Sequence, residues 1–307
     1  MVGLELGLTA LALDTIKEVA KKESGSTLAK WGNKDIGKAF EQAIFSASRR
    51  YLENYRARHG NLKIACVRMD KPMALEDIYT AVQLLDRADL RYFETVEALQ
   101  NLYRDGGKRS FFGGDGKKQD GIAVTNQEPY LMVLGGPGVG KSTFLRKVGL
   151  EALKQKQGAY QHPCIPVFVA LQKFKTSDIR LEQLIVQEFA DCGFPEPAAF
   201  TAAMLNKGRL LILLDGLDEV PLEQEAAVIS QIKDFVDRHG QNQNQNRFIA
   251  SCRVAAYKGG FPRFKDVAMA AFEDEQIEQF IRNWFPIAPT AAPAVEPAAD
   301  QAAEPAA

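Results

Sequence analysis

Gly135, Gly140, Lys141 and Ser142 have the spacing of a phosphate-binding loop, G-x-x-x-x-G-K-[ST]. The full run is Gly135-Gly136-Pro137-Gly138-Val139-Gly140-Lys141-Ser142-Thr143. Glycines let the backbone turn with positive φ and bring its N–H groups close to a polyphosphate. Lys141 supplies a point charge for the β- and γ-phosphates, and the Ser142 hydroxyl is a ligand for Mg²⁺. A second set of chemical groups lies in Asp215-Gly216-Leu217-Asp218-Glu219. A carboxylate at the end of an apolar strand, Asp215, can hold the Mg²⁺ shell. Asp218 or Glu219 can orient or deprotonate an attacking water. The competing role for these two is that of helix N-terminal acids, favoured by the dipole of the helix after Pro221. Arg253 directly follows the run Arg247–Cys252 and would face a γ-phosphate or else form a structural ion pair.

These groups need elements to position them. Leu131 to Leu134 is an apolar run before the loop, and Phe144 to Val148 has helical spacing after it. The order strand, loop, helix aims the positive end of the helix at the anion. Ile165–Leu171, Arg209–Asp215 and Arg247–Cys252 read as further strands, the second so continuously apolar that both sheet faces must be covered. Between them lie helices. Asp178 is the expected N-cap of one carrying Leu181, Leu184, Ile185 and Phe189, ended by Gly193. Ala198–Asn206 is a second, and Val228, Ile229, Ile232, Phe235 and Val236 stripe a third. This alternation predicts an α/β fold: a parallel sheet flanked by helices, spanning residues 129–271. Residues 272–285 begin a further amphipathic helix with Ile277, Phe280, Ile281 and Trp284. Residues 286–307 are almost wholly Ala, Pro and acid, with too little apolar surface to offset the entropy of ordering.

The N-terminal part reads differently. Ile36, Phe40, Ile44, Ala47, Tyr51 and Tyr55 keep helical steps, with Lys38, Glu41, Arg49 and Arg50 opposite. Leu8, Ala12, Ile16 and Val19 share one face of an earlier helix. Its Leu6–Leu13 run is too short to span a bilayer; contact with a membrane surface is the alternative to packing on its own domain. Lys63–Met69 is a candidate strand and Asp89–Tyr103 a candidate helix. Residues 1–103 are thus expected to form a separate, mainly helical domain. A Gly- and Lys-rich linker, 104–128, joins it to the α/β part.

In 307 residues, 25% charged, a net charge near −1 excludes coating of nucleic acid or membrane by bulk charge. Cys66, Cys164, Cys192 and Cys252 show no metal spacing and suggest a reducing, cytoplasmic compartment with small buried side chains. His59, His162 and His239 form no metal or triad pattern and read as surface or loop residues. No N-K-x-D guanine-reading motif follows the phosphate loop; the nearest match, Asn33 to Asp35, precedes it.

The runs Leu131–Lys147, Ile165–Lys173, Leu210–Pro221 and Phe248–Tyr257 together resemble a NACHT domain, the NTPase module of NOD-like receptors and of bacterial anti-phage proteins. The small residue after Asp215, followed by the pair Asp218-Glu219, carries most of that resemblance. More weakly, Tyr51–Tyr55 and Leu75–Tyr79 are similar to the helical region that precedes the module in bacterial members. The resemblance implies a P-loop NTPase switch that binds ATP or ADP with Mg²⁺, hydrolyses slowly and self-associates with its nucleotide. It implies phosphate and metal binding by Lys141 and Ser142, Mg²⁺ at Asp215, water handling by Glu219 or Asp218, and a sensor role for Arg253. The partners it implies are further copies of the chain and a signalling or effector protein at the N-terminal helices, with nucleic acid not expected. The resemblance breaks off after the first helix of the region that follows the module in the family.

Overall fold

The computed structural model describes residues 2–22, 34–62, 72–86, 118–176, 178–240 and 245–285. In chain order the elements are α1 (Val2–Lys22), α2 (Lys34–His59), β1 (Asn61–Leu62), β2 (Met73–Ala74), α3 (Leu75–Ile78), β3 (Gln83–Asp86), β4 (Gln119–Asp120) and α4 (Gly121–Gln127). Then come β5 (Tyr130–Gly135), α5 (Lys141–Leu153), β6 (Ile165–Ala170), α6 (Leu181–Asp191), α7 (Pro197–Asn206), β7 (Leu210–Asp215), α8 (Leu222–His239), β8 (Arg247–Arg253), β9 (Lys265–Met269) and α9 (Asp274–Trp284). The expected strand at Lys63–Met69, the helix at Asp89–Tyr103 and the tail 286–307 lie outside the described residues. No described helix is long and apolar enough to cross a membrane.

Seven strands form one sheet in the order β4-β3-β9-β5-β8-β7-β6. The five from β9 to β6 are parallel, and β3 and β4 add an antiparallel edge. The chain leaves β5 for the far edge, β6, and returns through β7 and β8 before crossing to β9. Strand order therefore reverses at β5, and ligands bind at such a switch point, beyond the carboxyl ends of the strands.

Alternation along the strands feeds two cores. Leu131, Val133, Leu211, Leu213 and Ile249 face α5, packing with Phe144, Leu145 and Val148. Met132, Leu134, Ile212, Leu214, Phe248 and Ala250 face the other way, against α6, α7 and α8. Both sheet faces are covered, as the unbroken apolar strands require.

The N-terminal helices are not a separate domain. Leu8, Ala12, Ile16, Phe40, Ile44, Tyr51 and Tyr55 are buried in the same core as α6 to α8. The apolar stripes of α1 and α2 thus pack on their own chain. Tyr51 donates a hydrogen bond of 2.5 Å to the Pro166 carbonyl of the edge strand β6 and packs against the Phe189 ring, 5.5 Å away. An open strand edge is a liability, and α2 covers this one. The expected division at residues 103 and 128 also fails. Strand β3 pairs with β9, so 83–86 belong to the sheet. Residues 118–127, expected as linker, form β4 and α4. Asp120 caps α4 through the Ala123 N–H, and Arg247 Nη2 donates to the Thr125, Asn126 and Glu128 carbonyls at its far end.

Asp178 is not the N-cap of α6. That helix starts at Leu181 with Arg180 at the cap position and no side-chain cap from it. The Leu181 N–H is instead satisfied by Oε1 of Gln231 on α8, at 2.6 Å, while Gln231 Nε2 donates to Ile179. A tertiary contact replaces the local cap. Asn246 is fully buried and bonds Leu205, His239 and Leu210. The His59 ring is packed in the interior, 4.4 Å from Phe168 and 4.7 Å from Tyr55. Cys164, Cys192 and Cys252 are buried free thiols, as expected; Cys66 is outside the described residues.

Candidate functional site

The phosphate loop spans the turn from β5 to α5. Gly138 and Gly140 have φ of +75° and +96°, conformations that disfavour any side chain. Gly140 is the N-cap of α5 in the left-handed region. At Gly135 the limit is space: a Cβ there would lie 2.7 Å from Val139 Cγ2. Phe144, Leu145 and Val148 are fully buried and seat α5 on the sheet, so its N-terminus is held rigidly beneath the loop. Lys141 turns back over the loop and donates to the Gly135 and Gly136 carbonyls at 2.9 and 2.8 Å. Burial pushes its ammonium below the ordinary value; Asp218 and Asp215 oppose that, and Arg253 adds to it. Lys141 thus feels the charges of Asp218, Arg253 and Asp215. Ser142 and Thr143 are half-buried in the first turn of α5.

The acidic segment lies two strands away, because β8 runs between β5 and β7. Asp215 ends β7 and Arg253 ends β8, where Arg253 is in register with Gly135, the first residue of the loop. Ser251, two residues before Arg253 and so on the same strand face, donates to Asp215 Oδ1 at 2.7 Å and accepts from the Gly216 N–H at 2.9 Å. This bridge fixes the Asp215 carboxylate and the turn after it together. Sequence reasoning missed Ser251; its signal is a lone hydroxyl within an apolar strand, in step with Arg253.

Gly216 has φ +79° and opens a short 3-10 turn, Leu217–Glu219. Its Cβ would lie 2.9 Å from Glu219 Cδ and 3.1 Å from Oε2. The absence of a side chain at 216 is what lets the Glu219 carboxylate fold back over the Gly216 backbone. Glu219 is exposed, and its side chain has no hydrogen-bond or ion-pair partner among the described residues. Asp218 is engaged: Oδ1 accepts the Arg253 N–H at 2.9 Å, and Oδ2 meets Arg253 Nε at 2.9 Å. Of the two sequence alternatives for Arg253 the ion pair is the one seen, with Asp218, at a position level with the loop. Between them, Cys252 is pushed up to about 12, chiefly by burial and then by Asp218, which leaves a neutral thiol.

This arrangement fits a Mg²⁺-bound nucleoside triphosphate. Two left-handed glycines, a helix N-terminus and a half-buried lysine offer N–H and ammonium donors to an anion. Ser142 and Asp215 supply the hard oxygen donors that Mg²⁺ takes when phosphates complete its shell. Among the described residues no cluster of three or more His, Cys, Asp or Glu forms an all-protein metal cage. With this geometry in view, the comparisons agree: a family model of the NACHT domain matches residues 129–288, about half of the chain. No curated protein matches it.

Proposed function

The chain belongs to the NACHT family, a P-loop NTPase module of the STAND type, and on that premise we propose that it is a slow, Mg²⁺-dependent ATPase acting as a signal-transduction switch. The observation that carries this reading is the convergence of Lys141, Asp215, Asp218 and Arg253 at one end of the sheet, beside a glycine-built loop. The chemistry a bound Mg²⁺ would supply is neutralisation of phosphate charge. Backbone N–H groups of the loop 135–143, apart from Pro137, would donate to phosphate oxygens, and Lys141 would exchange the Gly135 and Gly136 carbonyls for them. Ser142 and Asp215 hold the metal. Glu219, the unpaired acid, orients the water and takes its proton. Arg253 faces the terminal phosphate.

ATP-linked self-association, and a role in innate immune or anti-phage defence, extend the same reading. A nucleotide shifts such an equilibrium only through its different affinity for two states, and contacts to the γ-phosphate are the source available here. A signalling partner at the N-terminal helices would meet the outer face of α2, where Lys38, Glu41, Arg49 and Arg50 are exposed.

The direct test is nucleotide binding by wild type and Lys141→Ala in the presence of Mg²⁺. The expected result is a fall in ATP affinity of at least about tenfold, the scale of one lost charge-assisted contact. Equal affinities would overturn the assignment. ATP binding with no turnover would make the protein a nucleotide-gated scaffold instead.

A further inference from the structure

Strand β8 touches both halves of the site, and its last residue is held in an unusual way. Asp218 gives one carboxylate oxygen to the peptide N–H of Arg253 and the other to its Nε, both at 2.9 Å. One acid thus grips a single residue at its backbone and near the end of its side chain. The two anchor points fix the intervening torsions of a long, otherwise mobile arginine. Exposed ion pairs of this length contribute little, but this pair is asymmetric. The Asp218 side chain is 7% exposed, whereas Arg253 is 53% exposed. The acid is buried as a fixture, and the cation reaches outward from it. Among the described residues no hydrogen bond occupies the two Nη groups of Arg253, which leaves them as a flat pair of donors, the geometry that meets phosphate oxygens. Its place in the register is level with Gly135, where the phosphate loop begins. Asp218 therefore has both oxygens committed, unlike Glu219, and is badly placed to take a proton from water.

We infer that Asp218 is a positioning residue for Arg253: it carries no proton in the reaction, and it pre-sets the Nη edge of Arg253 for the terminal phosphate, so that the pair discriminates triphosphate from diphosphate. This rests on the nucleotide reading above. Rotamer freedom that Arg253 would lose on meeting phosphate is already lost in the free protein, which raises affinity for the nucleotide that carries a γ-phosphate. A diphosphate does not reach this contact, so the discrimination depends on the Asp218–Arg253 pair as a unit.

The test compares wild type, Asp218→Ala, Arg253→Ala and the double variant, using fluorescent ATP and ADP analogues with Mg²⁺. Each single change is expected to weaken ATP binding about tenfold, within the usual span of coupling effects, and to leave ADP binding within about twofold. The double variant should bind ATP no more weakly than Arg253→Ala alone, because Asp218 acts through the arginine. Amide hydrogen exchange without nucleotide gives an independent readout: the Arg253 N–H should exchange at least about tenfold faster in Asp218→Ala, with the interior β8 amides unchanged. Asp218→Asn, which keeps an acceptor for the N–H but opposes Nε with an NH₂ group, should show the ATP defect with little change in exchange, and it serves if the alanine variant does not fold. Multiplicative losses in the double variant, an equal fall in ADP affinity, or unaltered exchange at Arg253 in Asp218→Ala would each overturn the inference. Failure of the wild type to bind ATP would instead sink the nucleotide reading, before any variant is compared.

Discussion

The carboxyl end of the sheet and the seam beneath α2 are both assembled from distant parts of the chain, and they treat polar groups in opposite ways. At the carboxyl end the polar groups are matched: Lys141 with two loop carbonyls, Asp215 with Ser251, Asp218 with Arg253. In the seam, Tyr51, Tyr55 and His59 pack against Phe168, Phe189 and one another. There the Tyr55 hydroxyl and His59 Nδ1 are buried with no hydrogen-bond partner among the described residues. Each such atom costs about 1–3 kcal/mol, and burial of each large ring offsets about the same amount. The site keeps partners that a ligand can replace. The seam holds its shape by close packing and offers nothing to exchange.

The largest expected effect falls on the site side. Glu219→Gln should lower kcat by about 10²–10⁴-fold, the usual contribution of a general base. ATP affinity should stay within about twofold, since Asp215 keeps its bond to Ser251. Single-turnover hydrolysis beside equilibrium binding measures this, and an unchanged rate would show that water activation lies elsewhere.

On the seam side the sharpest point is Gly149 in α5. A Cβ there would lie 1.9 Å from the Tyr55 hydroxyl oxygen and 2.9 Å from its ring carbon Cζ. Gly149→Ala should cost about 1–3 kcal/mol through overpacking. Adding Tyr55→Phe should recover part of that loss, because it removes the nearest clashing atom and the orphan hydroxyl while the ring carbon Cζ stays close. Urea unfolding of the two variants decides it; wild-type stability for Gly149→Ala would mean that α2 yields easily.

A pH dependence also separates the two regions. Burial first, and then Arg146, Arg58 and Lys173, push His59 down to about 3 from an ordinary 6.5. A base with a lowered folded pKa takes up its proton in the unfolded chain first, so unfolding gains protons. Stability from this group is therefore fully present above about pH 6.5 and declines as pH falls towards 3, by up to about 1.4 kcal/mol per pH unit. His59→Phe should flatten the stability curve between pH 6.5 and 5 in chemical denaturation. A curve unchanged by the substitution would place the acid sensitivity outside the seam.

Legibility in the sequence followed the range of the interactions. The phosphate loop could be read because its chemistry is contiguous: glycines for positive φ, then Lys141 and Ser142 at the start of a helix. The strands at 131–134 and 210–214 could be read from their unbroken apolar runs, which a sheet covered on both faces accommodates, and the strand at 247–252 from its mainly apolar run after Arg247. Asp178 misled because a good local cap was outcompeted by Gln231, which a different helix brings to the start of α6. The domain boundary misled because 83–86 and 118–127 are short segments with weak patterns of their own, stabilised by pairing with β9 and by Arg247. Ser251 was invisible as a site residue until β8 was known to run beside β7.

Taken alone, the sequence determined the nucleotide loop, the alternation of strands and helices, and the identities of the acids and the arginine that could serve such a loop. Local sterics and apolar periodicity set those features, and both act over a few neighbouring residues. The tertiary structure alone decided which charged side chain meets which, that Asp218 is occupied while Glu219 has no partner among the described residues, and that α2 is fused to the core instead of standing apart. Those outcomes depend on strand order and register, which place Arg253 beside Gly135 and Ser251 beside Asp215. No local pattern in the chain encodes which strand becomes whose neighbour, because that choice is made by the packing of the whole sheet.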